Sequence, residues 1–204
     1  MNGDYFVWLS HDDVLRPYKI EAQLKAIVSS GSKETISQGN YSYINESSGG
    51  VVDTCFEKFY PEKMLKHGCL LFLWGETHFS NMLFSVSHFD RVGLFDEDNR
   101  TAQDQDMQFR LLKGQETVFL KEPVSLFRLH GKSGSIRKKN LMFEENRSLY
   151  VKILKNLPDE EILQSSGNIG AVYAHIAAII HSMGGGKELQ EVEKMLQKEF
   201  KPFR

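Results

Sequence analysis

The sequence has little of three things that would narrow its class at once: cysteine, long apolar runs and net charge. It contains 2 cysteines among 204 residues. Cys55 and Cys69 form no spaced pair, so we expect reduced thiols in a cytoplasmic chain. The longest apolar stretch, residues 169–180, contains a histidine and is too short to span a bilayer. A formal net charge of −2 gives no support for a nucleic-acid partner.

What is present is the composition of a folded α/β protein, with 41% hydrophobic and 25% charged residues. Aromatic and β-branched types at residues 5–9 predict a strand buried on both faces. Apolar residues at helical spacing after Pro17 predict a helix. Short strand and helix signals alternate up to Arg137, and helical segments follow. The predicted organisation is a mixed α/β unit over residues 1–137 and a helical extension over residues 138–204.

Three further element predictions are specific enough to compare with the structure. Loose alternation predicts a single strand over residues 36–44. Helical spacing closed by Lys113-Gly114 predicts a helix over residues 104–112. Residues 159–183 have one uninterrupted helical pattern, so we expect a single long helix there.

The stretch Ser10-His11-Asp12-Asp13 follows the first predicted strand and is rich in polar groups. Ligands of open α/β sheets collect at the carboxyl ends of strands. Adjacent carboxylates are costly unless a cation or water neutralises them, and such oxygen ligands favour Mg²⁺ or Mn²⁺ holding phosphates. A structural explanation stays open: Asp12 or Asp13 caps the helix that begins near Pro17, and His11 is only their hydrogen-bond partner.

Four segments, which make up three matches, resemble elements of the family 2 glycosyltransferases of the GT-A fold. Residues 3–17, Gly-Asp-Tyr-Phe-Val-Trp-Leu-Ser-His-Asp-Asp-Val-Leu-Arg-Pro, are similar to the family's strand that ends in Asp-x-Asp-Asp. Residues 89–97, Phe-Asp-Arg-Val-Gly-Leu-Phe-Asp-Glu, and residues 103–106, Gln-Asp-Gln-Asp, resemble its central acidic elements. Residues 127–130, Phe-Arg-Leu-His, resemble its Tyr-Arg-x-His ending. The elements keep the family's order and leave the helical extension unmatched.

The resemblance implies transfer of a sugar from a nucleotide-diphosphate sugar to an acceptor hydroxyl, with inversion. Asp12 and Asp13 match the family's site for Mg²⁺ or Mn²⁺, which neutralises the departing diphosphate. Ser10 stands where the family has its first aspartate, so ion binding would rest mainly on Asp12, while Asp13 would orient water or cap the helix. The implied contacts to the donor diphosphate are Ser10, His11, Arg128 and His130. For the last two, an exposed strand end is the structural alternative.

The resemblance also assigns a base and an acceptor side. Asp104 matches the residue that takes the proton from the acceptor hydroxyl, although its charge would also favour the start of a helix. Trp74, Glu76 and Asp106 are the implied acceptor contacts. Trp74 is equally compatible with a core position, and Asp106 has the spacing for a helical ion pair with Arg110.

Family members carry further βα units before the segment that matches residue 3, and those units hold the nucleotide. We therefore expect an incomplete and inactive fragment of the catalytic domain, whose uncovered edge at residues 5–9 leads to self-association or to a rearrangement of the sheet. The alternative is a non-catalytic remnant or binding module of the same fold. A glycoside hydrolase would need a pair of carboxylates on either side of the bond that is cleaved. This interpretation lacks support, because the sequence suggests no acid–base pair beyond Asp12 and Asp104.

The expected partners follow from the same resemblance. They are a nucleotide-diphosphate sugar and a glycan or lipid-linked acceptor of bacterial polysaccharide synthesis. The expected location is the cytoplasm, with a peripheral position at the inner face of the membrane.

Overall fold

The computed structural model describes residues 3–131 and 133–200. Its strands are β1 (Tyr5–Phe6), β2 (Val14–Leu15), β3 (Ile36–Gly39), β4 (Ser42–Asn45), β5 (Val51–Asp53), β6 (Phe84–Ser85), β7 (Thr117–Leu120) and β8 (Ser125–Leu129). Its helices are α1 (Lys19–Ser29), α2 (Glu62–Leu65), α3 (Cys69–Leu73), α4 (His88–Val92), α5 (Gln103–Leu112), α6 (Gly134–Arg137), α7 (Lys139–Asn156), α8 (Asp159–Ser166), α9 (Ile169–Ser182) and α10 (Lys187–Glu199). Short 3₁₀ turns lie at Phe56–Lys58 and Phe79–Asn81.

The described strands form small sheets that are each two to four strands wide. β1 pairs with β6 in antiparallel fashion, and β3 pairs with β7 in parallel. The widest sheet has the order β2-β8-β4-β5, with β8 antiparallel to β2 and parallel to β4. The predicted mixed α/β architecture with flanking helices and a helical C-terminal region is therefore confirmed.

The predicted strand over residues 5–9 is wrong in its length, since only Tyr5 and Phe6 enter a ladder. Their partner β6 is equally short because the chain turns into α4 soon after Ser85. Trp8 stacks on Phe79 instead, with ring centroids 5.8 Å apart. Beyond Phe6, this apolar segment therefore contributes the Trp8 side chain to the core and forms no further strand pairing.

The predicted strand over residues 36–44 divides into two strands that belong to different sheets. The change takes place at Asn40 and Tyr41, which lie between β3 and β4 and make additional hydrogen bonds that involve side chains. Asn40 donates to the Lys121 carbonyl at 2.7 Å, and the Tyr41 N–H donates to the Thr54 hydroxyl at 3.0 Å. Alternation along a sequence does not reveal such a change of sheet.

The single helix predicted over residues 159–183 is also wrong, because it is broken between α8 and α9. Gly167 ends α8 with φ +74°, a left-handed conformation that favours glycine. Asn168 then caps α9 by accepting a hydrogen bond from the Ala171 N–H at 2.9 Å. Gly-Asn followed by apolar residues is a stop and start signal, which the continuous apolar pattern obscured.

The main hydrophobic core spans both parts of the predicted organisation. Leu111 in α5 and Ile153 in α7 are both fully buried and belong to one cluster, together with Ile176 in α9. The boundary near residue 137 stays a prediction, but the two sides of it share this core. Among the helices of the described residues, none is long and apolar enough to cross a bilayer.

A buried polar network fixes α1 to the segment around the second 3₁₀ turn. The fully buried ammonium of Lys19 donates to the Gln23 side chain and to the Met82 carbonyl, the latter at 3.3 Å. Gln23 in turn donates to the Asn81 carbonyl at 2.9 Å. The network holds Phe79–Asn81, which carries one of the residues at the candidate site described next.

Candidate functional site

Strand pairing brings the first and the last of the recognised motifs together. β2 and β8 are antiparallel, with Val14 opposite Leu126. The loop before β2 therefore lies beside the end of β8. The Arg128 Nε donates to the Asp12 carbonyl at 3.0 Å, and its backbone N–H donates to Asp13 Oδ1 at 3.2 Å. Segments separated by 116 residues thus form one polar cluster.

Asp12 and His130 form the tightest contact of this cluster. His130 Nε2 lies 2.7 Å from Asp12 Oδ2. The hydrogen bond from His130 holds the pKa of the Asp12 carboxyl below its usual value, against a smaller opposing effect of burial. Asp12 is therefore ionised at neutral pH. His11, by contrast, is 91% exposed and stands 3.9 Å from the other Asp12 oxygen.

Asp13 points into the protein and has a different environment from its neighbour. It is buried, and it accepts hydrogen bonds from the Arg128 N–H and from the Ser80 side chain. Burial raises the pKa of the Asp13 carboxyl. These contacts tie the loop to β8 and to the second 3₁₀ turn. The geometry favours a structural role for Asp13 over the predicted contact with a metal ion, but not the predicted capping of α1, whose first turn has no side-chain cap.

Ser10 occupies the position where the resembled family has its first aspartate. Its hydroxyl accepts a hydrogen bond from the Trp8 indole at 3.3 Å. That indole is held by rings on two sides, since Trp8 also packs on Phe95 with centroids 5.4 Å apart. Ser10 is thereby kept next to the Asp12 loop by the core.

A cleft of about 550 Å³ opens along the end of β8 beside this cluster. Its walls combine a polar turn after β4 with the end of β8 and the start of α6. The lining residues are Asn45, Glu46, Ser47, Phe127, Arg128, Leu129, His130, Gly131, Ser133 and Ile136. Two predicted donor contacts, Arg128 and His130, therefore face the same cleft.

A divalent ion would find one suitable carboxylate at this site. In the part of the chain that the structure describes, no group of three or more His, Cys, Asp or Glu side chains converges to hold a metal. Asp12 is ionised and partly exposed, with the Ser10 hydroxyl two residues away. This donor set fits Mg²⁺ or Mn²⁺ that keeps water and phosphate oxygens as its remaining ligands, but it does not form a cage by itself.

Asp104 lies in the first turn of α5 and is partly buried. Its Oδ1 accepts a hydrogen bond from the N–H of Gln105 at 2.8 Å. Burial raises the pKa of the Asp104 carboxyl, against the smaller lowering effect of backbone hydrogen bonds. A carboxylate with a raised pKa is a stronger base than one in water, as the predicted proton acceptor requires.

The two predicted centres share a common neighbour in the second 3₁₀ turn, Phe79–Asn81. Ser80 of this turn bonds to Asp13, and the turn also packs on α5. No hydrogen bond or ion pair among residues 3–131 and 133–200 joins Asp104 directly to Asp12. The resemblance implies that Asp12 and Asp104 serve one reaction and therefore converge on one cleft, and this stays a prediction.

Asp106 has a structural environment that differs from the predicted acceptor contact. Its side chain is 2% exposed. One carboxylate oxygen lies 2.8 Å from Arg110 Nε, which confirms the helical pair, and the other lies 3.1 Å from Lys152 Nζ in α7. Both oxygens are engaged by cations, so this geometry favours a role in packing α5 against α7.

Trp74 and Glu76 are two residues apart in the chain, but their side chains have different surroundings. The Trp74 ring packs on His175 of α9 with centroids 4.5 Å apart, so a core role accounts for it. Glu76 lines a cleft of about 540 Å³ together with Phe59 and Tyr60. Burial raises the pKa of the Glu76 carboxyl. Of the two side chains, Glu76 is the one that lines this cleft.

Sequence reasoning missed Ser80, Lys19 and Glu145. Ser80 and Lys19 carry no motif, and Lys19 belongs by type to a helix surface. Glu145 of α7 accepts hydrogen bonds from the segment before Asp104, although nothing in the sequence links them. The Lys19-x-x-x-Gln23 spacing was the one signal that a polar pair could enter the core together.

Comparison with known proteins finds relatives that are named glycosyltransferases. The chain is 32% identical over 168 residues to a Rickettsia conorii protein named an uncharacterized glycosyltransferase, across 82% of this chain and 28% of that relative. A Rickettsia typhi protein, also named an uncharacterized glycosyltransferase, is 28% identical over 198 residues, across 97% of this chain and 62% of that relative. The chain thus spans less than two thirds of these relatives. No protein-family model matches it.

Among solved structures, the chain is similar to TarS of S. aureus, residues 1–349. The TM-score is 0.48 and the sequence identity 13%, over the whole of this chain and 69% of that one. A likeness at this level does not support an inference about function. The two relatives in Rickettsia support a glycosyltransferase in general terms, without indicating stereochemistry, metal use or substrates.

Proposed function

We propose that this chain is part of a family 2 glycosyltransferase of the GT-A fold, which transfers a sugar from a nucleotide-diphosphate sugar to an acceptor hydroxyl. The observation that carries the proposal is the contact of Arg128 and His130 with the Asp12-Asp13 loop. These residues come from the two motifs that the family resemblance assigns to the donor diphosphate. Relatives named glycosyltransferases that match most of the chain support the same assignment.

The donor diphosphate would lie beside the Asp12 cluster. Arg128 uses its Nε to hold the loop, which leaves its terminal nitrogens to donate to phosphate oxygens. The exposed His11 would add a donor, and His130 would hold the Asp12 carboxylate in place. When bound, Mg²⁺ or Mn²⁺ would neutralise charge on the diphosphate oxygens, with Asp12 and Ser10 as its protein ligands.

Asp104 would act as the base. The acceptor oxygen forms a bond to the anomeric carbon while its proton passes to the Asp104 carboxylate. The bond from that carbon to the diphosphate breaks, and its electron pair leaves with the phosphate oxygen. Attack from the side opposite to the leaving group gives inversion. The raised pKa of Asp104 helps it to keep the proton it receives.

The acceptor would enter near Glu76. Its cleft presents the exposed ring of Phe59 and the ring of Tyr60 together with a partly desolvated carboxylate. Aromatic faces and carboxylates together suit the apolar face and the hydroxyls of a sugar. A glycan or lipid-linked acceptor of bacterial polysaccharide synthesis fits this chemistry, with the reaction taking place in the cytoplasm at the inner face of the membrane.

A second candidate is a binding module of the same fold without catalysis. The specific observation in its favour is Ser10, because a hydroxyl is a poorer ligand for a divalent ion than the carboxylate of the resembled family. Such a module would bind the donor weakly and would not turn it over.

The test uses the protein with Mn²⁺ and a panel of UDP-, GDP- and dTDP-sugars. Asp104→Asn should retain donor binding but reduce kcat for transfer by roughly 100-fold or more, because a positioned base contributes about that much. Asp12→Asn should weaken donor binding itself. Asp98→Asn, an exposed aspartate outside the site, is the matched control and should change neither quantity.

Donor binding by the wild type without any turnover, and equal binding by Asp104→Asn, would favour the binding module. Wild-type affinity in Asp12→Asn would contradict the proposed donor site.

A further inference from the structure

The helical region contacts the segment that precedes the candidate base through the Glu145 side chain of α7. Glu145 accepts hydrogen bonds from three consecutive backbone N–H groups: Arg100 at 3.1 Å, Thr101 at 2.7 Å and Ala102 at 3.2 Å. The Thr101 hydroxyl also donates to the same carboxylate. Asp104 follows only two residues later. One carboxylate from the helical region therefore fixes the backbone that leads into the base.

The chemistry of this contact indicates a strong and specific anchor. Burial alone would raise the pKa of the Glu145 carboxyl, but the hydrogen bonds from Thr101 and from the backbone of residues 100–102 outweigh it and hold the pKa below its usual value. Hydrogen bonds to an ionised acceptor are about twice as strong as neutral ones. Ala102, the residue before α5, offers no side-chain cap of its own. Glu145 of α7 therefore supplies the side-chain hydrogen-bond acceptor that the local sequence lacks at the start of α5.

A second contact from the same helix face reaches the same turn of α5. Lys152 lies seven residues after Glu145, two helical turns along one face of α7. Its ammonium lies 3.1 Å from Asp106 Oδ1. Asp104 is thus flanked on both sides along the chain by residues that α7 holds.

We propose that Glu145 is a positioning residue for Asp104, so that the helical region completes the catalytic centre. Glu145 touches neither donor nor acceptor in this account; it acts by fixing the backbone from Arg100 to Ala102. The catalytic half of the inference rests on the proposed role of Asp104 as base. The positional half, that Glu145 orders the segment before Asp104, does not depend on any activity.

Hydrogen–deuterium exchange on the wild-type chain and two variants tests the positional half. Glu145→Gln should accelerate exchange of the Thr101 and Ala102 amides by about tenfold or more, because the amide group cannot accept all the bonds of the carboxylate. The amide of Gln105 should also accelerate, because its hydrogen bond to Asp104 Oδ1 reports on the base itself. Glu144→Gln is the matched control: the neighbouring residue is exposed and undergoes the same change of charge.

Unchanged exchange at Thr101, Ala102 and Gln105 in Glu145→Gln would overturn the inference, whether or not the protein transfers sugar. Thr101→Val is the second variant and is informative if Glu145→Gln does not fold. It removes only the hydroxyl contact and should accelerate the same amides by a smaller factor. No acceleration in a folded Thr101→Val would count against the anchor.

Turnover tests the catalytic half. Glu145→Gln should lower kcat by about tenfold while the donor KM stays within about twofold, because the donor site lies elsewhere. Combined with Asp104→Asn, it should cause no further loss, because a residue that acts through Asp104 has no effect once the base is gone. Additive losses would overturn this half. A wild type that neither binds a donor nor transfers sugar would refute the proposed function and leave the exchange result standing.

Discussion

Lys19 is buried against the preference of its residue type. The ammonium is fully buried, and its hydrogen-bond partners are the neutral Gln23 side chain and the Met82 carbonyl. Burial lowers the pKa of Lys19 from 10.5 to about 7. Because no described carboxylate bonds to it, the charged form is disfavoured in the folded state.

This shift predicts how stability depends on pH. The unfolded chain binds the Lys19 proton more tightly than the folded one, so between pH 7 and 10.5 unfolding takes up a proton and stability rises with pH. We expect a contribution of up to about 1.4 kcal/mol per pH unit to the unfolding free energy from pH 7 to about 8.5, before cysteine and tyrosine titrate. Urea denaturation across this range measures it.

Lys19→Met should flatten that slope, and Lys25→Met should leave it intact. Lys25 lies on the same helix but is exposed, with a surface partner in Glu21. Equal slopes in both variants would mean that Lys19 is not the group responsible.

At the residue level, the structure brings some residues of the recognised motifs together and buries others away from them. Asp12, Arg128 and His130 come together as the motifs imply. Asp13 and Asp106, also carboxylates of these motifs, face the interior instead. Asp12, Asp13 and Asp106 are all aspartates, and only their neighbours in the folded chain decide whether the carboxylate is open to a ligand or engaged inside the protein.

At the level of elements, α5 and α7 are joined by an ion pair whose two side chains differ in solvent exposure. Asp106 is buried, whereas the Lys152 side chain is 57% exposed. Asp106→Ala should destabilise the protein by about 3 kcal/mol, because it leaves Arg110 without its buried partner. Lys152→Ala should cost no more than about 1 kcal/mol, since its end of the pair is solvated.

Chemical denaturation of both variants measures this difference. Equal losses would contradict the view that Asp106 organises the contact. Glu145 also joins α7 to the segment that leads into α5. The losses of unfolding free energy in Glu145→Gln and Asp106→Ala should therefore be coupled rather than additive.

Element types could be predicted from the sequence more readily than element ends and partners. Periodicity located α1 and α5 closely, because each presents an apolar face at helical spacing. It could not show that residues 36–44 serve two sheets, because alternation does not specify which strand lies alongside. Nor could it find the contact of Glu145 with residue 101, which depends on a tertiary approach across 44 positions.

On the scale of the whole molecule, the exposed sheet edges favour self-association. β1 pairs only with β6 among the described strands, and it is two residues long. The stronger edge is β5 at the end of the four-stranded sheet, where Val51 and Val52 are exposed. An exposed apolar edge strand is a template for pairing with another chain.

We therefore expect light scattering to detect species larger than a monomer at high concentration. Val52→Lys should reduce them, because a charge on an edge strand opposes pairing. Val28→Lys is the control, an equally exposed valine on the surface of α1. A protein that is monomeric at all concentrations would refute the prediction.

The α/β part and the helical part share one hydrophobic core. Leu111 of the α/β part and Ile153 of the helical part are packed in one cluster. Removal of the helical region should therefore expose apolar surface as well as free the segment before Asp104. The proposed catalytic centre is in this sense a property of the whole chain rather than of the motif-bearing part.

The most direct test of the central claim, that the Asp12 cluster binds a diphosphate, is calorimetric titration with pyrophosphate in the presence of Mg²⁺. Pyrophosphate carries the diphosphate chemistry without base, ribose or sugar. The account predicts saturable binding that weakens about tenfold or more in Asp12→Asn and Arg128→Ala but not in Asp98→Asn. Absence of binding, or equal affinity in all the variants, would contradict it.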